Sequence, residues 1–505
     1  MRILEILQDI EIIQSTGDLS GTVDVISYDS RTCGRQALFV AVRGLQYDGH
    51  DYIEDAICCG ATYVMHEHEV ERREGVTYIQ VADSRRALGI AAGNFYGHPS
   101  KKLRLIGITG TNGKTTITYI LESILKAAGI DVGIIGTINY RYGGEVIEAP
   151  NTTPESLDLQ YTLKRMVDAG ITHVVMEVSS HAIDLARVDN CEYDIGVFTN
   201  LSEEHLDYHH TTDNYFLVKK RFFDEIMKGR DMVVNGDDSW GKKLLDEVGG
   251  PVTTFGIAGN WDVRATEFDL SIHGIETVVE ISGGSCALSS SMTGKFNLYN
   301  ILAAVAVSRL LGLPMETIRA GIAAVATVPG RLERISGTDE PAIFIDYAHT
   351  EDALRKVLEN LAEFNKGRIV TVFGCGGDRD RSKRPLMGRA ATELSDLSIV
   401  TSDNPRGENP LSIIEAIERG IERRRVKRLT TEEIAAQPGI RGYAVIPDRR
   451  EAIELAVSVA DSDDIVLIAG KGHEDYQIIG NRRISFDDKV VARESLDLWR
   501  LRGNH

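Results

Sequence analysis

The sequence predicts an α/β chain of three domains, each built on a mainly parallel sheet. Three observations carry this. The chain has 505 residues, more than one hydrophobic core accommodates, so two to four domains are expected. Short β-branched runs alternate with helical stretches along most of its length, the pattern of parallel sheets covered by helices. Two breaks, His98-Pro99-Ser100 and Val328-Pro329-Gly330, interrupt the alternation and delimit domains over 1–98, 99–331 and 332–505.

In the first domain, 23–28, 37–42, 62–66 and 76–81 read as strands, and 51–59 as a helix ending at Gly60. The second domain opens with a buried strand over 103–109. Its helix follows, because Ile117, Ile120, Leu121, Ile124 and Leu125 share one face and Gly129 ends the run. Further strands are expected at 172–178, 195–199 and 232–234. Residues 261–288 alternate apolar and polar side chains, as an antiparallel excursion does, and a helix over 300–313 leads to the second break. The last domain repeats the design in Rossmann-like form, with strands at 342–345, 368–373, 397–401 and 465–469. Each is followed by Gly, Asp, Asn or His, and ligands of open parallel sheets bind beyond the carboxyl ends of the strands. Thr350 and the acidic Glu351 are placed to cap and start a helix carrying Leu354, Val357, Leu358 and Leu361.

Composition narrows the class. An apolar share of 43% with 26% charged residues is that of an ordinary globular protein. The net charge of -19 argues against nucleic acid or an anionic membrane as partner, since both require basic surface. No apolar run approaches the roughly 20 residues that span a bilayer. The acidic, amphipathic start reads as mature protein, and a soluble cytoplasmic location is expected. The six cysteines are scattered without paired spacing and read as reduced structural residues.

The segment from Gly107 to Thr116, GITGTNGKTT, lies between the buried strand and the amphipathic helix. That context makes a phosphate cradle: glycines let backbone N–H groups approach, and the helix N-terminus adds a positive dipole. Gly110, Thr111, Asn112, Gly113, Lys114, Thr115 and Thr116 are the nucleotide-binding candidates. Lys114 would reach the β- and γ-phosphates and the Thr115 hydroxyl would ligate magnesium. Ile108 breaks the strict phosphate-loop pattern, which has glycine there. A nucleotide site alone does not name a reaction.

Further motifs are more specific. TGTNGKTT (109–116), NTTP (151–154), EVSSHA (177–182), FTNLSEEHLDYHH (198–210), FNLYN (296–300), PGRLE (329–333), DYAHT (346–350), GCGGDRDRSKRPLMG (374–388), DNPR (403–406) and AGKGHEDYQ (469–477) together resemble the Mur ligase family. The resemblance runs from about residue 23 to 480. It implies an ATP-dependent acid–amino-acid ligase of peptidoglycan synthesis, within the branch that adds the third residue. Such an enzyme phosphorylates the D-Glu γ-carboxylate of UDP-N-acetylmuramoyl-L-Ala-D-Glu, and the incoming amine displaces phosphate from the acyl phosphate. A carboxylate is a poor electrophile until phosphorylated, and the phosphoryl group in transit needs cations around it.

The resemblance also implies roles. Lys114, Glu177, His205 and Lys219 form the catalytic set, with Thr115, Glu177, His205 and a carbamylated Lys219 holding two magnesium ions. Lys220 is the competing candidate for the carbamate, although the spacing from Tyr208 favours Lys219. Asn297, Asn300, Arg331, Asp346 and His349 resemble further ATP contacts, the two asparagines being equally readable as helix-capping residues. Tyr28, Ser30, Leu45, Gln46 and Tyr47 resemble the uridine-binding segments. Asn151, Thr152, Thr153, Ser179 and Arg187 resemble the groups that grip the pyrophosphate, sugar and peptide. Leu185 departs from the family, which often has glutamine there.

For the amine, Asp403, Asn404, Pro405 and Arg406 resemble the motif of the branch that adds meso-2,6-diaminopimelate. Arg406 has the fork to bind the extra carboxylate that lysine lacks, with Arg379 supporting it. Glu474 and the Gly470 carbonyl would accept from the distal ammonium. The expected partners are therefore ATP, the UDP-linked dipeptide and meso-diaminopimelate, acting on a monomer. An L-lysine-adding ligase of the same family, a folylpolyglutamate synthase-like ligase and a non-catalytic nucleotide-binding regulator are the alternatives.

Overall fold

The computed structural model describes residues 1–44, 47–422 and 424–502. They form two compact units. One comprises Met1–Leu201, His209–Arg264 and Leu302–Gly321; the other comprises Ser202–Tyr208, Ala265–Ile301 and the chain from Ile322 onward.

The first unit begins with a five-stranded sheet of β1 (Ile12–Thr16), β2 (Val25–Ser27), β3 (Ala37–Val40), β4 (Ala61–His66) and β5 (Thr77–Val81), in the order β1-β5-β4-β3-β2. All neighbours are parallel except β1 against β5. Leu38, Val40 and Met65 face one core while Phe39 and Val64 face another, so the strands read as unbroken apolar runs. The helix Ser84–Tyr96 covers the first face, capped by the Asp83 carboxylate at its start and by left-handed Gly97 at its end.

The central sheet follows with β6 (Arg104–Thr109), β7 (Val132–Ile135), β8 (Asn139–Tyr142), β9 (Glu145–Glu148), β10 (His173–Glu177), β11 (Ile195–Phe198), β12 (Asp231–Asn235) and β13 (Val252–Gly256). Their order is β13-β12-β11-β6-β10-β7-β8-β9. Strand β6 lies between two parallel neighbours, Val175 of β10 beside Ile106 and Val197 of β11 beside Ile108. Gly107 at its middle leaves room for the rings of Phe222 and Tyr193, which a Cβ would approach to 2.6 and 2.8 Å. The carboxyl ends of β6, β10 and β11 thus emerge side by side.

In the second unit β14 (Val263–Ser271), whose first residues lie in the first, leads into the antiparallel pair β15 (Gly274–Ile281) and β16 (Gly284–Ser290). A six-stranded sheet follows: β17 (Glu333–Arg334), β18 (Ala342–Asp346), β19 (Ile369–Phe373), β20 (Leu397–Val400), β21 (Gly442–Val445) and β22 (Ile465–Ala469), ordered β17-β18-β22-β19-β20-β21. Only β17 is antiparallel to its neighbour. Helices Glu351–Phe364, Lys383–Leu394 and Pro410–Glu418 cover one face, and Arg449–Ser458 and Asp488–Arg502 the other. A hairpin of β23 (Tyr476–Ile479) and β24 (Arg482–Ser485) follows the sheet's last strand. Among the described residues no helix is long and apolar enough to cross a membrane.

The expected strands are found within a residue or two, and Thr350 caps its helix by accepting from Ala353 N. Three features differ. Residues Ile3–Ile6 are helical and β1 precedes the first expected strand. The break at 98–100 is itself ordered, a 3₁₀ turn with Pro99 and Ser100 buried. The helix expected over 300–313 runs Lys295–Leu310, and a second, Met315–Ala323, follows left-handed Gly312 and Pro314.

Candidate active site

The phosphate loop occupies the turn between β6 and the helix Lys114–Ala127. Gly110 (φ 142°) and Gly113 (φ 93°) hold backbone conformations that side chains avoid. Space matters as well as conformation, since a Cβ on Gly110 would lie 1.9 Å from Thr199 Oγ1. The loop is braced from the end of β11: Asn200 Oδ1 accepts from Asn112 N at 3.0 Å, and Thr199 Oγ1 donates to Asn112 O at 2.6 Å. Lys114 Nζ donates to the carbonyls of Gly110 and Thr111, both at 2.8 Å, so its charge stays at the loop. The isoleucine at 108 lies in the strand, fully buried, and does not disturb the turn.

Glu177 ends β10 beside this loop and is 1% exposed. Its carboxylate accepts from Thr115 Oγ1 (3.1 Å), Thr137 Oγ1 (2.9 Å) and Thr137 N (2.9 Å). Gly136 makes room for it, because a Cβ there would lie 2.4 Å from Glu177 Oε1. One carboxylate with hydroxyls suits magnesium, which keeps several waters and shares substrate phosphate oxygens. Among the described residues no three His, Cys, Asp or Glu side chains converge for a metal.

Lys219 projects from the helix Thr212–Arg221, is 1% exposed, and donates from Nζ to Gly110 O at 3.1 Å and Thr109 Oγ1 at 3.3 Å. Lys220 points away and pairs with Asp224 and Glu247. Helix phase brings Lys219 to the loop and turns Lys220 away from it.

Next to Glu177 stands the group expected to grip the second substrate. Thr153 Oγ1 donates to Glu177 O at 2.8 Å and accepts from Ser179 N at 3.1 Å. Thr152 Oγ1 lies 3.1 Å from Thr137 Oγ1, and Asn151 O accepts from Tyr140 Oη at 2.5 Å. Arg187 Nη1 donates to Thr153 O at 3.1 Å, and its Nη2 pairs with Glu155 at 2.8 Å. Tyr28 donates to Asp158 at 2.6 Å, and burial, reinforced by that bond, pushes its hydroxyl pKa up. Ser30 is buried in a 3₁₀ turn capped by Asp29, while Tyr47 is exposed. Leu45 and Gln46, expected at the uridine site, lie outside the described residues.

The remaining candidates belong to the second unit. His205 sits in left-handed conformation (φ 57°) on the short segment Ser202–Tyr208, whose Ser202 hydroxyl donates to Asp352 at 2.7 Å. Asn297 and Asn300 are buried neighbours: Asn300 Nδ2 donates to Asn297 Oδ1 at 3.0 Å, and Asn297 Nδ2 to Thr293 O at 2.7 Å. Asn297 and Arg331 line the same small cleft of about 30 Å³. Arg331 lies over the Tyr347 ring, 4.8 Å from its centroid. Both carboxylate oxygens of Asp346 accept backbone N–H groups, Leu332 at 2.6 Å and Ala348 at 2.7 Å. Asp346 thus shapes the loop that presents Arg331, and burial raises its pKa. His349, whose pKa burial lowers, hydrogen-bonds Tyr347 O at 2.9 Å.

The turn Asp403-Asn404-Pro405-Arg406 follows β20 and meets the segment after β22. Asn404 Nδ2 donates to Glu474 at 2.8 Å, and the fully buried Lys471 Nζ lies 3.2 Å from Asn404, 3.3 Å from Glu474 and 3.6 Å from Asp403. Burial raises the pKa of Glu474, partly offset by Lys471. Arg406, left-handed at φ 50°, donates to Gly377 O at 2.9 Å. Arg379 is exposed on the adjoining loop, where its Nη1 donates to Asp378 O at 3.4 Å. Gly470 lies beside Asp403, whose Oδ2 a Cβ would approach to 3.3 Å.

Sequence reasoning missed the supports. The buried Arg384 holds Glu408 at 2.8 and 3.1 Å, which depresses the Glu408 pKa to about 2 and staples the loop of Arg379 to that of Arg406. Thr137 and Gly136 carry no sequence signal of their own; Asn200, Lys471 and Arg384 sit inside recognised motifs. Left-handed backbone at Ala186, His205, Leu332, Asp378 and Arg406 marks the site loops, strain that rigid surroundings must hold. A cleft of about 570 Å³ lies at the opposite end of the central sheet's strands, lined by Arg104, His173 and Asp231 at the strand starts. It is remote from the phosphate loop, so we assign the chemistry to the carboxyl ends.

Comparison with known proteins agrees with this geometry. Residues 22–96 match the model described as "Mur ligase family, catalytic domain", 108–308 "Mur ligase middle domain", and 330–472 "Mur ligase, glutamate ligase domain". The UDP-N-acetylmuramoyl-L-alanyl-D-glutamate--2,6-diaminopimelate ligase of Geobacter metallireducens is 46% identical over 97% of both chains. Its namesake from Caldanaerobacter subterraneus subsp. tengcongensis is 43% identical over 98% of this chain and 99% of its own. A solved structure of a ligase of that name superposes with a TM-score of 0.69 at 32% identity, covering 99% of each chain. A Mycobacterium tuberculosis folylpolyglutamate synthase complexed with ADP, 19% identical over 76% of this chain and 91% of its own with a TM-score of 0.61, shares the fold alone.

Proposed function

The chain belongs to the Mur ligase family, and from that premise we propose that it joins meso-2,6-diaminopimelate to the D-Glu γ-carboxylate of UDP-N-acetylmuramoyl-L-Ala-D-Glu, driven by ATP, in peptidoglycan synthesis. The observation that carries the choice of amine is the Asp403–Arg406 turn set beside Glu474. It offers a fork of donors and a carboxylate, the pair that an amino-acid end with both charges requires.

The chemistry follows from the residues. Phosphate-loop amides and Lys114 draw negative charge off the γ-phosphoryl group as its bond to the β-phosphate oxygen breaks, ADP leaves and the group passes to the γ-carboxylate oxygen. Thr115 and Glu177 would hold magnesium, which neutralises phosphate charge when bound. Arg187, Thr153 and Ser179 orient the dipeptide so that its carboxylate, not water, meets the phosphoryl group. The deprotonated amine then attacks the acyl carbon, the acyl–oxygen bond breaks, and inorganic phosphate leaves. Lys219 is read as the carbamylated residue: its buried Nζ at the loop becomes an oxygen ligand when the neutral amine adds carbon dioxide and loses a proton. His205 is read as a ligand of a second magnesium, and Asn297, Asn300, Arg331, Asp346 and His349 as further ATP contacts. The protein is read as a cytoplasmic monomer.

Phosphate release tests the reading. With ATP and magnesium, release is expected only when both the UDP-dipeptide and diaminopimelate are present. Release with ATP alone, at a comparable rate, contradicts it.

A further inference from the structure

Glu155 opens the helix Ser156–Asp168 at its N-cap position, yet its side chain makes no capping hydrogen bond. It turns instead toward two arginines. Its Oε1 lies 2.8 Å from Arg187 Nη2, and its Oε2 accepts from Arg85 Nη1 at 3.3 Å. The three side chains are only 14–19% exposed. Arg85 comes from the helix Ser84–Tyr96 of the five-stranded layer. Its other donors, Nε and Nη2, both go to Arg43 O, at 3.1 and 3.0 Å. Arg43 leads into the segment carrying Tyr47, where Gly44 N donates to Tyr47 O at 2.8 Å. On the other side Arg187 holds Thr153 O, beside Glu177. Leu157, two residues after Glu155, packs into the core of the same five-stranded layer.

One carboxylate therefore links the loop read as the uridine site to the arginine read as the peptide grip. Charge explains the arrangement. Two partly buried guanidiniums repel each other, and a shared carboxylate holds them together while leaving one net positive charge for an anionic substrate. Arg187 keeps Nε, a buried donor with no protein partner among the described residues, to offer that substrate.

We infer that Glu155 is a positioning residue that fixes the distance between the two ends of the UDP-sugar-peptide site by bridging Arg85 and Arg187. The inference rests on the proposed role of Arg187. Glu155→Gln keeps the volume and removes the charge. It is expected to raise KM for the UDP-dipeptide about tenfold, the loss of one charge-assisted contact, with kcat and the KM for ATP and diaminopimelate changed less than threefold. An unchanged or lower KM for the UDP-dipeptide overturns it. A second measurement holds even if that variant folds poorly: calorimetric binding of the UDP-dipeptide to Arg85→Gln, Arg187→Lys and the double variant. Coupling through Glu155 makes the two losses non-additive by about fivefold or more, within the range for residues sharing a network; additive losses overturn the bridge. If Arg187→Lys alone leaves binding intact, the reading of the substrate grip fails instead.

Discussion

Replacing Lys219 with alanine is expected to lower kcat by about 10²–10³-fold, the cost typical of removing one group that stabilises charge in transit. The expectation rests on position. Lys219 is buried beside Gly110 and Thr109, so whatever its terminal atom carries is presented to the phosphate end of the site. A carbamate there supplies oxygens, and an alanine leaves space in which formate, acetate or bicarbonate substitutes for them. Partial recovery of kcat with these anions is the specific sign of a carbamate. Lys220→Ala serves as the control: its pairs with Asp224 and Glu247 lie on the helix's outer side, and exposed pairs contribute little. Its kcat is expected to stay within about twofold, since such pairs are worth well under 1 kcal/mol. A Lys219→Ala enzyme that no carboxylate rescues contradicts the carbamate.

The second large effect is expected at Arg406. Truncation to alanine should raise KM for diaminopimelate by roughly 10–100-fold, since a hydrogen bond to a charged group is worth about 1.5–3 kcal/mol. Arg406→Lys keeps the charge but loses the fork, and is expected to recover only part of the loss. KM for ATP should not move. Steady-state kinetics with each substrate varied separately reads all three. The turn should survive these changes. Its shape comes from backbone contacts of Arg406 with Ile478 and Gly480, and from the Arg384–Glu408 staple, none of which uses the Arg406 side chain. An alanine variant with unaltered KM for diaminopimelate would place the amino acid elsewhere.

How much of this was legible in the sequence follows from what kind of signal each part leaves. The buried parallel strands were readable because both their faces are apolar, as in the unbroken run of β3 or of β22. The phosphate loop was readable because glycine, lysine and threonine are dictated at fixed spacing by contact with phosphate. The helix Ser84–Tyr96 was not, as alanines and glycines fill much of its buried face and give a weak periodic signal. The supports escaped for a different reason. Glu155, Arg85, Thr137 and Arg384 act through partners distant in sequence, and an arginine that holds a loop is written no differently from one on the surface. Asp346 illustrates the converse. The motif marks it as a nucleotide contact, whereas the structure also gives both its carboxylate oxygens to backbone N–H groups that shape the Arg331 loop.

The measurement that tests the central claim most directly is the mass of the product formed from UDP-N-acetylmuramoyl-L-Ala-D-Glu, ATP and an equimolar panel of amino acids that includes meso-diaminopimelate and L-lysine. The expected product is the UDP-tripeptide ending in diaminopimelate, with the lysine adduct scarce or absent. A lysine adduct of comparable abundance, or an unextended dipeptide while ATP is consumed, contradicts the account.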